Sequence, residues 1–121
     1  MRKIDDKFLR VAADEALRGE FRYKHGVVIA RNKEILVRGH NRSLGINNTL
    51  VRYGVYFSLH AELDAIMKLP YRFDDPCTLY SFRDGGKLAK PCSKCLHVIS
   101  RTSIARVVFS VEPGYVAEMF I

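Results

Sequence analysis

The sequence predicts an α/β layered sandwich formed by a single domain that spans residues 1–121. Helical and strand-like segments alternate in the order α-β-β-α-β-α-β, and strand–helix–strand crossovers of this kind place helices against the faces of a sheet. A chain of 121 residues, of which 48% are hydrophobic, can bury roughly two-thirds of its unfolded surface. It therefore needs no disulfide bonds to form a core.

The first half of the chain predicts a helix followed by a hairpin. Apolar residues recur at helical spacing over residues 6–18, which indicates the first helix. Residues 25–30 form an apolar run typical of a buried strand, and residues 35–39 return as its hairpin partner after a polar turn. Residues 40–53 are irregular and rich in Asn, Gly and Arg, so we expect a functional loop there.

The second half predicts two helices that alternate with two strands. A helix over residues 59–69 ends at Pro70, and a strand follows over residues 78–82. Proline suits the first turn of a helix, so the next helix begins near residue 91 and runs through residue 99. The following strand covers residues 105–110.

The last residues predict an antiparallel fifth strand. The Pro-Gly pair at residues 113–114 is a turn signal, and residues 115–121 are long enough to fold back beside the preceding strand. A crossover helix followed by a parallel strand would need more chain than remains. We therefore expect a mixed sheet of four or five strands.

Charge and composition narrow the class of protein. The 20 Lys and Arg residues exceed the 13 Asp and Glu residues by seven. This excess of positive charge favours phosphate-bearing partners such as nucleotides or single-stranded nucleic acid; the alternative is that the charge only keeps the surface soluble. No window approaches the run of about 18 apolar residues that crosses a membrane, and the amino terminus lacks the pattern of a secretory signal. Three cysteines do not suit a secreted disulfide scaffold. We expect a cytoplasmic protein with no membrane partner.

Two short motifs contain residues of the types that bind metals. The sequence HAE at residues 60–62 begins the second predicted helix, and PCSKC at residues 91–95 begins the third. Cys92 and Cys95 are three residues apart, so their sulfurs point the same way on a helical turn, and both helices begin at the same edge of the sheet. One imidazole and two thiolates supply three of the four ligands that zinc prefers. We therefore predict that His60, Cys92 and Cys95 bind Zn²⁺.

The fourth ligand position distinguishes a catalytic zinc site from a structural one. Glu62 follows His60 by two residues, a rotation of about 200° on a helix, so it is badly placed to bind the same ion. It is better interpreted as a base beside an open position that holds water. A structural site closed by His97, His40 or Cys77 is the main alternative. A redox function for the two cysteines would leave His60 and Glu62 unexplained.

The order of these motifs, H-x-E followed by P-C-x-x-C, resembles the signature of the cytidine deaminase superfamily. The sequences VRGHNR at residues 37–42, HAEL at 60–63 and IARVVF at 104–109 are similar to segments of bacterial tRNA adenosine deaminases and deoxycytidylate deaminases. The likeness runs from Phe8 to Ser110. It implies a three-layer α/β/α cytidine-deaminase-like sandwich and the hydrolytic removal of an amino group from a base.

The resemblance also implies functions for individual residues. Zinc is the implied cofactor, with His60, Cys92 and Cys95 as its ligands. Glu62 is the implied catalytic residue, which takes a proton from the attacking water and delivers it to a ring nitrogen. The side chain of Asn41 and the backbone near Ala61 are implied to bind the base.

Three departures from the tRNA enzymes bear on the substrate that the resemblance implies. Those enzymes have an acidic residue where this chain has Lys90, a shorter connection at residues 83–90, and a C-terminal helical extension that is absent here. We therefore expect deamination of cytosine to uracil in a free nucleotide, (deoxy)cytidylate. The alternatives are a cytosine or adenine base in single-stranded DNA or RNA, and a non-catalytic zinc module that binds nucleic acid.

Tyr56 and Arg42 complete the predicted substrate site. Tyr56 could stack on the base, although an aromatic run of this kind is more often part of a core. Arg42 could hold a phosphate. Further candidates for these two contacts are Tyr53, Phe57, Arg52, Lys90 and Lys94. We assign structural functions to His25 and His97, for which the sequence offers no partner. The resemblance also implies that the protein forms a homo-oligomer.

Overall fold

A computed structural model of the chain describes residues 3–44, 58–70 and 72–121. In chain order, the elements are α1 (Lys3–Ala16), β1 (His25–Arg31), β2 (Glu34–His40), β3 (Arg42–Ser43), β4 (Ser58–Leu59), α2 (Ala61–Met67), β5 (Cys77–Arg83), a 3-10 turn (Asp84–Gly86), α3 (Ser93–Ser100), β6 (Ile104–Glu112) and β7 (Tyr115–Phe120). None of the helices in these ranges is long and apolar enough to cross a bilayer.

Five of the strands form one mixed sheet in the order β2-β1-β5-β6-β7. Strands β5 and β6 are parallel and are connected through α3, whereas the other neighbours are antiparallel. The predicted mixed sheet is therefore confirmed, and so is the antiparallel fifth strand, which pairs with β6 after the turn at Pro113 and Gly114.

Helices cover both faces of this sheet because successive side chains of its inner strands alternate between two apolar layers. In β1, Val28 points to the layer that contains Phe8 and Ala12 of α1. Val27 and Ile29 point the other way, to the layer that contains Ala61 and Ala65 of α2. The molecule is thus the three-layer α/β/α sandwich that the sequence predicts.

The region between β2 and α2 differs from the prediction in two respects. Part of the expected irregular loop is a small antiparallel sheet, in which Arg42 pairs with Leu59 and Ser43 pairs with Ser58. Because residues 58–59 are in this sheet, the second helix begins at Ala61 rather than at residue 59. His60 lies between the two elements in an extended conformation, with φ −66° and ψ 149°.

Candidate active site

The three predicted metal ligands converge at the beginning of α2 and α3. His60 immediately precedes α2, Cys92 immediately precedes α3, and Cys95 lies in the first turn of α3. The Nδ1 atom of His60 is 3.3 Å from Sγ of Cys95 and 3.7 Å from Sγ of Cys92. All three candidate ligand atoms lie within 4.8 Å of one another. The structure therefore brings together the residues that the two motifs separate by more than thirty positions in the chain.

The donor set and its spacing fit a zinc ion. Zn–S bonds of about 2.3 Å and Zn–N bonds of about 2.0 Å at tetrahedral angles separate the sulfur and nitrogen atoms by about 3.5 Å. The two observed S–N distances, 3.3 and 3.7 Å, lie on either side of that value. Burial raises the pKa of the Cys95 thiol, and the nearby Glu62 carboxylate raises it further. A thiolate at this position therefore requires a cation, which a bound metal would supply.

None of the residues considered for closing a structural zinc site joins this group. The imidazole of His40 contacts the Glu15 carboxylate at 3.1 Å, Cys77 is buried near the hydroxyl of Ser103, and His97 is exposed on α3. Within residues 3–44, 58–70 and 72–121, the group of candidate metal ligands consists of His60, Cys92 and Cys95. Three protein ligands leave one vertex of a tetrahedral site for water or substrate.

Glu62 lies beside this group but is not part of it. It belongs to the first turn of α2 and is 2% exposed, and its Oε1 atom has no hydrogen-bond partner among the described residues. A buried carboxylate oxygen without a partner is rare in folded proteins, because desolvation is then uncompensated. Such an atom is available to accept a proton from a molecule that enters the site.

A cavity of about 340 Å³ connects these groups to the protein surface. His60, Glu62 and Cys92 line it at the metal site, and Tyr23 and Lys90 also line it. A volume of this order suits a small organic ligand. Two of the candidate metal ligands and the Glu62 carboxyl group therefore line the same cavity.

Asn41 is among the residues that line this cavity, and Ala61 lies in the chain between two others, His60 and Glu62. Asn41 lines it, but the Oδ1 atom of its side chain accepts a hydrogen bond from the backbone nitrogen of His25 at 3.0 Å, and its Nδ2 donates to the Tyr23 carbonyl at 2.7 Å. Ala61 is fully buried as the first residue of α2. The assignment of a base contact to either residue stays a prediction.

The other predicted substrate residues have different positions. Arg42 donates from Nε to the buried carboxylate of Asp64 at 2.7 Å, so this part of its guanidinium group has a structural partner. Lys90 lines the cavity, as one of the predicted phosphate contacts. The predicted stacking residue Tyr56, together with Tyr53, Phe57 and Arg52, lies outside the described residues.

His25 is a site residue that the sequence reasoning missed. Its Nδ1 atom lies 3.5 Å from Oε1 of Glu62, and its Nε2 atom lies 2.5 Å from Oγ of Ser81. Burial lowers the pKa of His25; the Glu62 charge opposes this shift, and the Arg83 charge adds to it. No sequence spacing relates His25 to the HAE motif, and its position as the first residue of β1 was the only available signal.

A cluster of cations around Tyr23 is a second feature that the sequence did not reveal. The charged groups of Arg83, Lys87 and Arg22 lie 5.1, 5.8 and 5.9 Å from the centre of the Tyr23 ring. Tyr23 and Arg83 line the cavity, and Tyr23 is 56% exposed. In the part of the chain that the structure describes, no carboxylate lies within ion-pair distance of these three cations. A ligand with a negative charge would therefore be attracted to this side of the cavity.

Comparisons with known proteins agree with this geometry. The family model described as the cytidine and deoxycytidylate deaminase zinc-binding region matches residues 2–111. A search of curated proteins found no significant match.

Solved structures with the same fold include several deaminases. The apo dCMP deaminase of the cyanophage S-TIM5 is 22% identical, with a TM-score of 0.71, and the match covers 94% of this chain and 88% of that chain. The same phage enzyme has also been solved in complex with dCMP and dUMP, at 23% identity and a TM-score of 0.69, with 90% of this chain and 82% of that chain covered. The cytidine deaminase of Burkholderia pseudomallei is 17% identical, with a TM-score of 0.73, and the match covers 99% of this chain and 93% of that chain. These likenesses show the shared fold.

Proposed function

The chain belongs to the cytidine and deoxycytidylate deaminase zinc-binding family, and from this premise we propose that it deaminates cytosine to uracil in a free nucleotide, (deoxy)cytidylate. Enzymes of this family are zinc-dependent hydrolases. The observation that carries the proposal is the cavity itself. It is lined by the candidate metal ligands His60 and Cys92 and by Glu62, whose buried Oε1 atom has no hydrogen-bond partner among the described residues, and it is flanked by the cations around Tyr23.

In the proposed reaction, His60, Cys92 and Cys95 hold the zinc ion. When bound, zinc lowers the pKa of a water molecule so that it is a nucleophile near neutral pH. Glu62 accepts one proton of the attacking water and delivers it to the cytosine ring nitrogen, and the added hydroxyl group then gives its remaining proton to the amino group. The amino group leaves as ammonia, and the oxygen remains as the carbonyl of uracil. The position of Glu62 supports this assignment, because its buried carboxyl group lines the cavity beside the candidate metal ligands.

The cation cluster supports a nucleotide rather than a nucleoside as the substrate. Arg22, Arg83 and Lys87 are contributed by two separate segments, and their charges converge on the Tyr23 ring at the edge of the cavity. A phosphate is doubly charged near neutral pH and accepts hydrogen bonds from guanidinium and ammonium groups. The dCMP that is bound to the phage enzyme of the same fold is a ligand of this class.

The decisive experiment combines a substrate panel with the Glu62→Gln variant. Ammonia release from dCMP, CMP, deoxycytidine and cytidine is measured with the zinc-loaded protein, and we expect the monophosphates to give the highest kcat/KM. Glu62→Gln should retain zinc and the thermal unfolding temperature but lose about 10²- to 10⁴-fold in kcat, the usual contribution of a general acid–base residue. A fully active Glu62→Gln variant, or a zinc-loaded protein that deaminates no nucleotide, would contradict the proposal.

A second candidate substrate is a base in single-stranded DNA or RNA. Phe21 and Tyr23 line the cavity and are 37% and 56% exposed, beside the cation cluster. Aromatic rings next to cations form stacking platforms for single strands. If short oligonucleotides are deaminated with a steep salt dependence while dCMP is a poor substrate, this second function replaces the first.

A further inference from the structure

We propose that His25 is a positioning residue that holds the carboxyl group of Glu62 through Nδ1, while Ser81 and the carbonyl of Ala89 hold the imidazole ring through Nε2. The inference rests on the proposed function, in which Glu62 is the group that carries the proton. It concerns a residue to which neither of the two sequence motifs assigns a function.

The hydrogen bonds of Ser81 indicate that Nδ1 of His25, the nitrogen that faces Glu62, carries no hydrogen. The hydroxyl of Ser81 donates to the Ala89 carbonyl at 2.9 Å, and a hydroxyl has only one hydrogen to donate. Ser81 Oγ must therefore accept from Nε2 of His25, at 2.5 Å. A neutral imidazole with hydrogen on Nε2 has a lone pair on Nδ1. Burial, which lowers the pKa of His25, favours this neutral ring.

The Nδ1 lone pair is directed to the part of Glu62 that has no other partner. Oε1 of Glu62 is 3.5 Å from Nδ1 and is buried without a hydrogen bond among the described residues. Once Glu62 has taken up a proton during turnover, its O–H can donate to Nδ1 after the two atoms approach by about half an ångström. His25 then keeps the protonated carboxyl group oriented until it delivers the proton to the ring.

The same chain of contacts connects both sides of the candidate site. Glu62 belongs to α2, His25 to β1, and Ser81 to β5, whereas Ala89 lies three residues before the candidate metal ligand Cys92. Ser81 is completely buried and Ala89 is 2% exposed, so water does not compete for these contacts. A change at His25 should therefore affect the orientation of Glu62 without removing a zinc ligand.

Two substitutions of His25 separate its two ring nitrogens. His25→Asn places an amide group where Nδ1 lies but does not reach Ser81, whereas His25→Gln reaches Ser81 and leaves the position of Nδ1 empty. We expect His25→Gln to lower kcat for dCMP by about 10- to 100-fold, the usual cost of losing a group that orients a reacting residue. His25→Asn should keep kcat at least fivefold higher than His25→Gln, with KM, zinc content and thermal unfolding temperature alike in the two variants.

Several results would overturn the inference. Equal kcat values for the Asn and Gln variants, or a loss that resides in KM, would show that the Nδ1 contact does not orient Glu62. Lower activity of the Asn variant would show that the bond to Ser81 is the important one. A measurement without turnover tests the same contact: in long-range ¹H–¹⁵N spectra of the zinc-loaded protein, His25 should carry hydrogen on Nε2. Its Nδ1 resonance should shift in Glu62→Gln, and hydrogen on Nδ1 or an unchanged resonance would contradict the proposal. The inactivity of Glu62→Gln tests the proposed function independently of His25.

Discussion

At the scale of single residues, Asp64 determines where the segment that carries Asn41 lies against α2. Its carboxylate is 2% exposed and accepts hydrogen bonds from Arg42 Nε at 2.7 Å, from the backbone nitrogen of His40 at 3.1 Å and from Lys68 Nζ at 3.2 Å. Burial by itself would raise the pKa of Asp64, but these donors more than compensate, and the pKa is lowered. The residues on both sides of Asn41 are thus bound to one ionised group.

We predict that Asp64→Asn lowers the free energy of unfolding by about 2 kcal/mol at pH 7, since hydrogen bonds to a charged group are lost. Because the pKa of Asp64 is lowered in the folded protein, the unfolded state binds the proton more tightly than the folded state does. The ionised Asp64 therefore stabilises the fold fully at pH values above its ordinary pKa of 3.8, and this contribution is lost as the pH falls below that value. Urea unfolding at several pH values should therefore show a difference between wild type and variant that shrinks in acid. The exposed Asp14→Asn variant is the control, and a difference that is independent of pH would contradict the prediction.

At the scale of secondary-structure elements, the close approach of α2 to β2 positions the helix that begins after His60. A Cβ atom built on Gly39 would lie 2.5 Å from the backbone nitrogen of Ala65 and 2.6 Å from the carbonyl oxygen of Ala61. Both atoms belong to the helix backbone, so neither can rotate away. Only glycine at this position allows α2 to lie this close to the sheet.

We predict that Gly39→Ala displaces α2 and costs about 1–3 kcal/mol, the usual penalty for overpacking. Because α2 carries Glu62, kcat should fall as well, even though residue 39 does not line the cavity. Thermal unfolding and steady-state kinetics measure the two effects. Arg38→Ala, at the exposed neighbouring position, should change stability by less than about 0.5 kcal/mol. A Gly39→Ala protein with wild-type stability and kcat would show that α2 can shift without consequence.

At the scale of the whole molecule, a buried ion pair joins the first helix to the last hairpin. Asp5 of α1 is completely buried and accepts two hydrogen bonds of 2.9 Å from Arg106 of β6 and one of 2.7 Å from the hydroxyl of Tyr80. Arg106 also donates from Nε to Glu118 of β7 at 2.6 Å. Residues 101 positions apart are thereby connected across the sheet.

We predict that Arg106→Met lowers the free energy of unfolding by about 3–5 kcal/mol, because the buried charge of Asp5 loses the two hydrogen bonds and the opposite charge of Arg106. The double variant Asp5→Asn/Arg106→Met removes both charges and keeps an acceptor for Tyr80, so it should recover a large part of that loss. Chemical denaturation of the two variants measures the difference. If the double variant is no more stable than Arg106→Met, the buried charge is not the cause of the loss.

Much of the fold could be predicted from the sequence, because its signals are local. Hydrophobic periodicity indicated the helices and strands within a few residues, and the turn at Pro113 and Gly114 indicated the antiparallel strand β7. The small sheet of β3 and β4 was missed, because strands of two residues have no periodicity to detect.

The candidate metal group could also be predicted from the sequence. Cys92 and Cys95 are three residues apart at the beginning of one helix, and His60 precedes a helix that starts at the same edge of the sheet. Only the tertiary structure decided that His25 faces Glu62, that cations from separate segments surround Tyr23, and that Arg42 is bound to Asp64. The pairing register of the strands and the distance between helix and sheet determine these contacts. Neither quantity has a signature in a short stretch of sequence, because each depends on how distant parts of the chain pack together.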